Sequence, residues 1–164
     1  MRIFYLSAAI LTAVPALLFS EPSHSHDEKA VEHYDGHAAA MGEPGDPKAR
    51  NIRTIEVAMT DQMRFKPALI NVAKGQTVKF VVKNSGEIKH EFVLGTADEL
   101  TKHAAVMEKF PEMEHDDPNA VSVEPGKSAE LVWRFTKAGT WEIGFACLIP
   151  GHFSGGMKGK ISVR

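Results

Sequence analysis

Trp141-Glu142-Ile143-Gly144-Phe145-Ala146-Cys147-Leu148-Ile149-Pro150-Gly151-His152-Phe153-Ser154-Gly155-Gly156-Met157 is the stretch from which the rest of the chain can be read. Its first half alternates. Trp141, Ile143, Phe145 and Cys147 fall on one face, and Glu142, Gly144 and Ala146 on the other. A period of two is that of a strand with one face against a core, so Cys147 is expected to point inward at the end of its strand. Pro150 and Gly151 then turn the chain. Gly155, Gly156 and Gly159 permit a tight return at little steric cost. Ile161 and Val163 alternate in a closing strand. The loop between two terminal strands thus carries a thiol, an imidazole and a thioether within the eleven residues from Cys147 to Met157.

The same period extends upstream. Ile55, Val57 and Met59 alternate with Glu56 and Ala58; Ile70 and Val72 alternate, as do Val78, Phe80 and Val82. Glu91 to Leu94 and Val121 to Val123 are short apolar runs, and Leu131, Trp133 and Phe135 alternate again. Turn residues separate these runs at Lys74-Gly75-Gln76, Asn84-Ser85-Gly86, Pro125-Gly126-Lys127 and Ala138-Gly139. Short strands at this spacing predict an all-β, Greek-key sandwich of two sheets. One segment follows a different period. Thr96 can cap a helix with Asp98 and Glu99 in its first turn. Leu100, Ala104 and Met107 then share a face, and Pro111 ends the run. One short helix is therefore inserted among the strands.

The chain divides into three parts. Arg2, the apolar run from Ile3 to Phe19 and the small residue Ser20 have the layout of a secretory signal peptide, residues 1–20. The run is short for a membrane span and Pro15 interrupts it, so no stable membrane insertion is expected after cleavage. Export through such a leader implies the periplasm. Residues 21–50 hold seven acids against three bases, four of the eight histidines (His24, His26, His33, His37) and Met41. Large apolar residues are nearly absent, so this stretch reads as a disordered, metal-attracting arm and linker. Residues 51–164 form the folded domain. The net charge of −2 implies no basic surface and makes nucleic acid an unsuitable partner.

Cys147 is the single cysteine. An exported chain with one cysteine has no internal disulfide, so the thiol is inert, shared with another chain or chemically employed. Its neighbours point to employment. Soft sulfur with imidazole is the donor set copper prefers, and a trigonal site of two histidines and a cysteine with a long axial methionine is the blue-copper arrangement. His152 and Met157 supply two members from the same loop. His90 supplies the second imidazole, at the start of the Glu91–Leu94 strand and after the turn at Asn84-Ser85-Gly86. A structural zinc site would rarely use methionine. One type 1 copper per domain, at His90, Cys147, His152 and Met157, is the expectation. A second, Cu(I)-preferring site is a weaker expectation at His103 and Met107 on the helix with Met113 and His115 in the loop after it. The competing reading leaves Met107 in the core stripe and the others in solvent.

Over residues 52–164 the sequence resembles the cupredoxin family, which includes plastocyanin, azurin, auracyanin and rusticyanin. The resemblance is carried by Met63-Arg-Phe65-Lys-Pro67, by Asn84 to His90, and by Phe145-Ala-Cys147 through Met157. The intervals from Cys147 to His152 and on to Met157 are closer to auracyanin and rusticyanin than to plastocyanin. Met63-Arg-Phe-Lys-Pro67, Lys89-His90-Glu91-Phe92 and His115-Asp-Asp-Pro-Asn119 most resemble the CopI-type periplasmic cupredoxins linked to copper tolerance. One departure is Glu91, where better-known electron carriers often have a small polar residue beside the thiolate.

The resemblance implies a copper-binding protein rather than an enzyme. Copper homeostasis or tolerance with a redox-active Cu(I)/Cu(II) site is the main reading. A one-electron carrier between respiratory or photosynthetic partners is the alternative. The partners implied are copper itself and either a redox partner protein or copper-handling proteins. A nitrite reductase or multicopper oxidase would need further histidine clusters in the folded part, which offers only His103 and His115 beyond the expected ligands.

Overall fold

The structure is a computed structural model that describes residues 41–164 apart from 114–116 and 143. The leader, the four histidines of the arm, His115 and Ile143 lie outside the described residues. The elements run β1 (Glu43–Pro44), β2 (Arg53–Thr60), β3 (Arg64–Lys66), β4 (Leu69–Val72), β5 (Thr77–Asn84), β6 (His90–Leu94), α1 (Ala97–Met107), β7 (Ala120–Val123), β8 (Ser128–Arg134), β9 (Gly139–Thr140), β10 (Phe145–Ala146) and β11 (Lys158–Val163).

Two mixed sheets form. One has the order β1-β8-β5-β2-β3, and the other β4-β11-β10-β6-β7 with β9 also on β11. β2 runs parallel to β5, with Met59 opposite Asn84 at the end of the ladder. β11 runs parallel to β4. The alternating apolar residues meet between the sheets: Val57, Met59, Val78, Phe80 and Val82 from one, Phe92, Leu94, Phe145 and Ile161 from the other. Phe65, Phe80, Phe92 and Phe145 form a chain of ring contacts with centroids 5.1–5.9 Å apart. Truncating one such ring costs about 3–5 kcal/mol, because the cavity left behind collapses only in part. A Cβ on Gly159 would overlap the Phe145 ring opposite it, so that position stays bare.

The helix forms as its pattern requires. The Thr96 hydroxyl accepts from the Glu99 N–H at 3.4 Å, and the Glu99 carboxylate accepts from the Thr96 N–H at 2.7 Å. This reciprocal cap satisfies two N–H groups that would otherwise lack partners. Leu100, Ala104 and Met107 are the buried face. They pack on Val93, Ala146 and Leu148, the outer side of the second sheet. β10 is therefore covered on both faces, and Ala146 is as buried as Phe145. Among the described residues no helix is long and apolar enough to cross a membrane.

Two expectations change. The strand read from Trp141 to Cys147 is interrupted. Thr140 pairs with Ser162 and Phe145 with Gly159, so five steps of chain face three on β11. Ladder pairing is kept in β9 and β10, on either side of that mismatch. The arm also ends earlier than residue 50. Met41 is 1 % exposed within the main core, and β1 pairs with β8. Met41 is thus a packing residue, and its thioether is not available to an arm that gathers metal.

Candidate metal centre

Three of the four expected donors stand at the end of a strand, and the fourth lies in a turn. His90 opens β6, Cys147 follows β10, His152 lies in the turn beyond it, and Met157 precedes β11. His90, Cys147 and Met157 are each 0 % exposed, and His152 is 9 % exposed. The structure brings His90, Cys147 and His152 together, with one ligand atom of each lying within 4.8 Å of the other two. The His90 and His152 Nδ1 atoms are 3.3 Å apart, and Cys147 Sγ is 3.3 Å from His152 Nδ1. Donors held at roughly 2.0–2.3 Å from one ion in a trigonal plane stand about 3.5–4 Å from each other. The cluster fits a single ion of that kind. A thiolate with two imidazoles is the softness that copper selects over harder cations.

Backbone bonds shape the loop. Cys147 N–H donates to Met157 O and Met157 N–H to His152 O, both at 3.0 Å. His152 N–H donates to Ile149 O at 3.0 Å. Met157 is thereby tied at its backbone to two of the other candidates. Gly151, at φ +83°, makes the turn before His152, and its N–H donates to Glu108 Oε1 at the end of α1.

His90 is held by side chains instead. Asp61 Oδ1 is 3.0 Å from His90 Nε2, and Asp61 Oδ2 accepts from Glu87 N–H at 2.7 Å. The Glu87 N–H holds the Asp61 carboxyl below the usual carboxylate range against the opposing effect of burial, with smaller help from the His90 ring and the Ile88 N–H. An ionised carboxylate only accepts, so Nε2 carries the ring proton and Nδ1 presents its lone pair to the cluster. Asn84 lies beneath. Its amide donates to Ile88 O at 2.7 Å and Val123 O at 3.0 Å, and its oxygen accepts from Gly86 N–H at 2.9 Å.

Burial pushes the Cys147 thiol up to about 12, while the N–H groups of Glu91 and Ile149 pull the other way. At neutral pH the free thiol keeps its proton, so a metal that takes the thiolate must displace it. Burial, and then the neighbouring His90, push His152 below its ordinary value and keep its ring neutral. The Glu91 departure is resolved by its backbone. Its N–H donates to Cys147 Sγ at 3.3 Å, while its side chain turns away to accept from Ser122 Oγ.

His103, Met107 and Met113 line one groove of about 860 Å³, whose other wall is β6 and β7 and which also reaches His152. Met107 is 2 % exposed and belongs to the apolar cluster under the helix. Asp61 was not singled out by the sequence. A lone acid in a polar turn has no period, and only the pairing of Met59 with Asn84 sets it beside the 84–90 loop.

Residues 53–164 match the family of copper-binding proteins of the plastocyanin/azurin type. The copper-resistant cuproprotein CopI of Rubrivivax gelatinosus is 52 % identical over 141 residues, which cover 81 % of this chain and 84 % of that protein. CopI of Pseudomonas aeruginosa is 41 % identical over 157 residues, covering 78 % and 84 %. Among solved structures, reduced auracyanin from Roseiflexus castenholzii superposes with a TM-score of 0.57 at 25 % identity, over 68 % of this chain and 96 % of that one.

Proposed function

The chain belongs to the plastocyanin/azurin family of copper-binding proteins, and from that premise we propose that it acts in periplasmic copper tolerance, and that His90, Cys147, His152 and Met157 are the residues that would hold one type 1 copper. The observation that carries this reading is the convergence of three ligand atoms within 4.8 Å, in a chain 52 % identical to a copper-resistant cuproprotein. His90 and His152 would each donate through Nδ1, and Cys147 through Sγ. Copper bound there supplies a one-electron Cu(I)/Cu(II) couple. The protein's part is to exclude water by burial, to fix the donors at the ends of three strands and in the turn between two of them, and to temper the thiolate with the Glu91 N–H. Such a site needs no substrate pocket, so the protein is read as a binding and redox protein and not an enzyme.

The leader-like residues 1–20 and the histidines of the arm support export and copper handling. The likeness to auracyanin supports the alternative, a one-electron carrier. Strains carrying Cys147→Ser separate the two. Copper sensitivity with intact respiration is expected, and impaired respiration with normal copper tolerance would establish the carrier. Deleting residues 21–40, which spares Met41 and β1, is expected to leave the visible spectrum unchanged and to reduce growth in high copper. A second, Cu(I)-preferring site at His103, Met107, Met113 and His115 is supported by the groove that His103, Met107 and Met113 share. In the protein lacking residues 21–40, anaerobic Cu(I) titration should then exceed one equivalent and return to one in Met113→Ala.

A further inference from the structure

The loop that leads into His90 is wound around a carboxylate. Asp61 follows β2, and the end of that strand is bonded to the loop, Ser85 N–H donating to Met59 O at 2.9 Å. Asp61 Oδ2 takes the Glu87 N–H and Oδ1 takes the His90 ring. The space the carboxylate fills is one that only glycine leaves open. A Cβ on Gly86 would overlap Asp61 Oδ1 and stand 2.5 Å from its Cγ. Gly86 is in turn held in place by the Asn84 side-chain oxygen. The cradle therefore leaves room for a carboxylate at residue 61 and engages both of its oxygens, and its outlet is the one ring nitrogen of His90 that does not face Cys147 and His152.

We propose that Asp61 is a positioning residue for His90, turning Nδ1 toward Cys147 and His152 and strengthening it as a donor to Cu(II) more than to Cu(I). A hydrogen bond from Nε2–H to an anion moves electron density onto Nδ1, and such outer partners orient and tune a metal's ligands. The more highly charged copper state gains more from that density. The effect is to lower the reduction potential of the site. The inference rests on the reading of His90 as a copper ligand.

The test uses the full mature chain loaded with Cu(II). It compares wild type, Asp61→Asn, Asp61→Glu and Gly86→Ala by visible spectrum, redox titration, Cu(II) and Cu(I) competition, and thermal melting. Asp61→Asn is expected to weaken Cu(II) binding about 10–100-fold, with a smaller change for Cu(I). Each tenfold difference between the two states raises the potential by about 59 mV for a one-electron couple. Asp61→Glu should restore part of the shift. Gly86→Ala keeps the acid but displaces it, and should raise the potential in the same direction even if Asp61→Asn fails to fold. A merely structural tie would lower the melting temperature and leave the potential alone. That outcome, in copper-loaded Asp61→Asn or Gly86→Ala, overturns the assignment while the copper site stands. A copper-loaded wild type with no thiolate charge-transfer band overturns it by removing the site itself.

Discussion

His90 and His152 come within 3.3 Å of each other at Nδ1, yet the chain holds them by different means. His90 sits on a strand and is governed by side chains, the distant Asp61 through its ring and the nearby Asn84 through the loop before it. His152 sits in a turn and is governed mainly by local backbone bonds, with side-chain ties from Glu108 and Ser154 to Gly151 and from Arg64 to Gly155. Side-chain control can be removed by a single substitution, and backbone control largely cannot. The strand side is therefore where the electronic character of the site is set. The loop side, 9 % exposed and bordering the groove, is where the site meets its surroundings.

The sulfur common to both sides gives the largest expected effect. Cys147→Ser should abolish the strong visible band of the copper-loaded protein, because a hydroxyl is a harder and poorer donor. Persistence of that band would mean that neither histidine shares a copper with the thiolate, and the comparison would end there. Asn84→Ala comes next. It leaves Ile88 O, Val123 O and Gly86 N–H without their partner, and should cost about 2–4 kcal/mol in urea unfolding. It should also disturb copper binding through His90.

The thiol itself gives a smaller effect, set by pH. Its pKa in the folded protein is raised to about 12 from an ordinary 9.0. The unfolded chain therefore loses this proton first, and the metal-free protein should lose stability as pH rises above about 9. The slope is at most about 1.4 kcal/mol per pH unit. Urea midpoints of metal-free wild type and Cys147→Ala between pH 8 and pH 10.5 check this, and equal slopes would refute it. The smallest effect belongs to the loop side. Glu108→Ala removes one hydrogen bond between exposed groups and should cost under about 1 kcal/mol. Were it to match Asn84→Ala, the two histidines would be held alike after all.

The sequence made the loop from Cys147 to Met157 legible because three chemically distinctive residue types sit at fixed spacing beside a period-two strand. His90 was legible for a related reason, standing at the junction of a turn and an apolar run. The helix announced itself through Thr96, Glu99 and the spacing of Leu100, Ala104 and Met107. What failed to show had no local signature. Met41 is a single apolar residue in a polar stretch, and only the pairing of β1 with β8 carries it into the core. The mismatch before β10 depends on the register of β11, which no local pattern encodes. Asp61 depends on the parallel pairing of β2 with β5, an encounter between segments far apart in the chain.

The missing side chain of Gly86 also constrains the order in which this gene can change. While Asp61 is present, any larger residue at 86 overlaps its carboxylate. Once residue 61 has become small, position 86 is released from that clash. The two sites are then epistatic with a direction: a substitution at 86 disturbs the site least once 61 has become small, and one accepted there hinders the return of the acid. Related genes with a small residue at the position of Asp61 should accordingly show residue 86 drifting freely, whereas those that keep the acid should hold it as glycine.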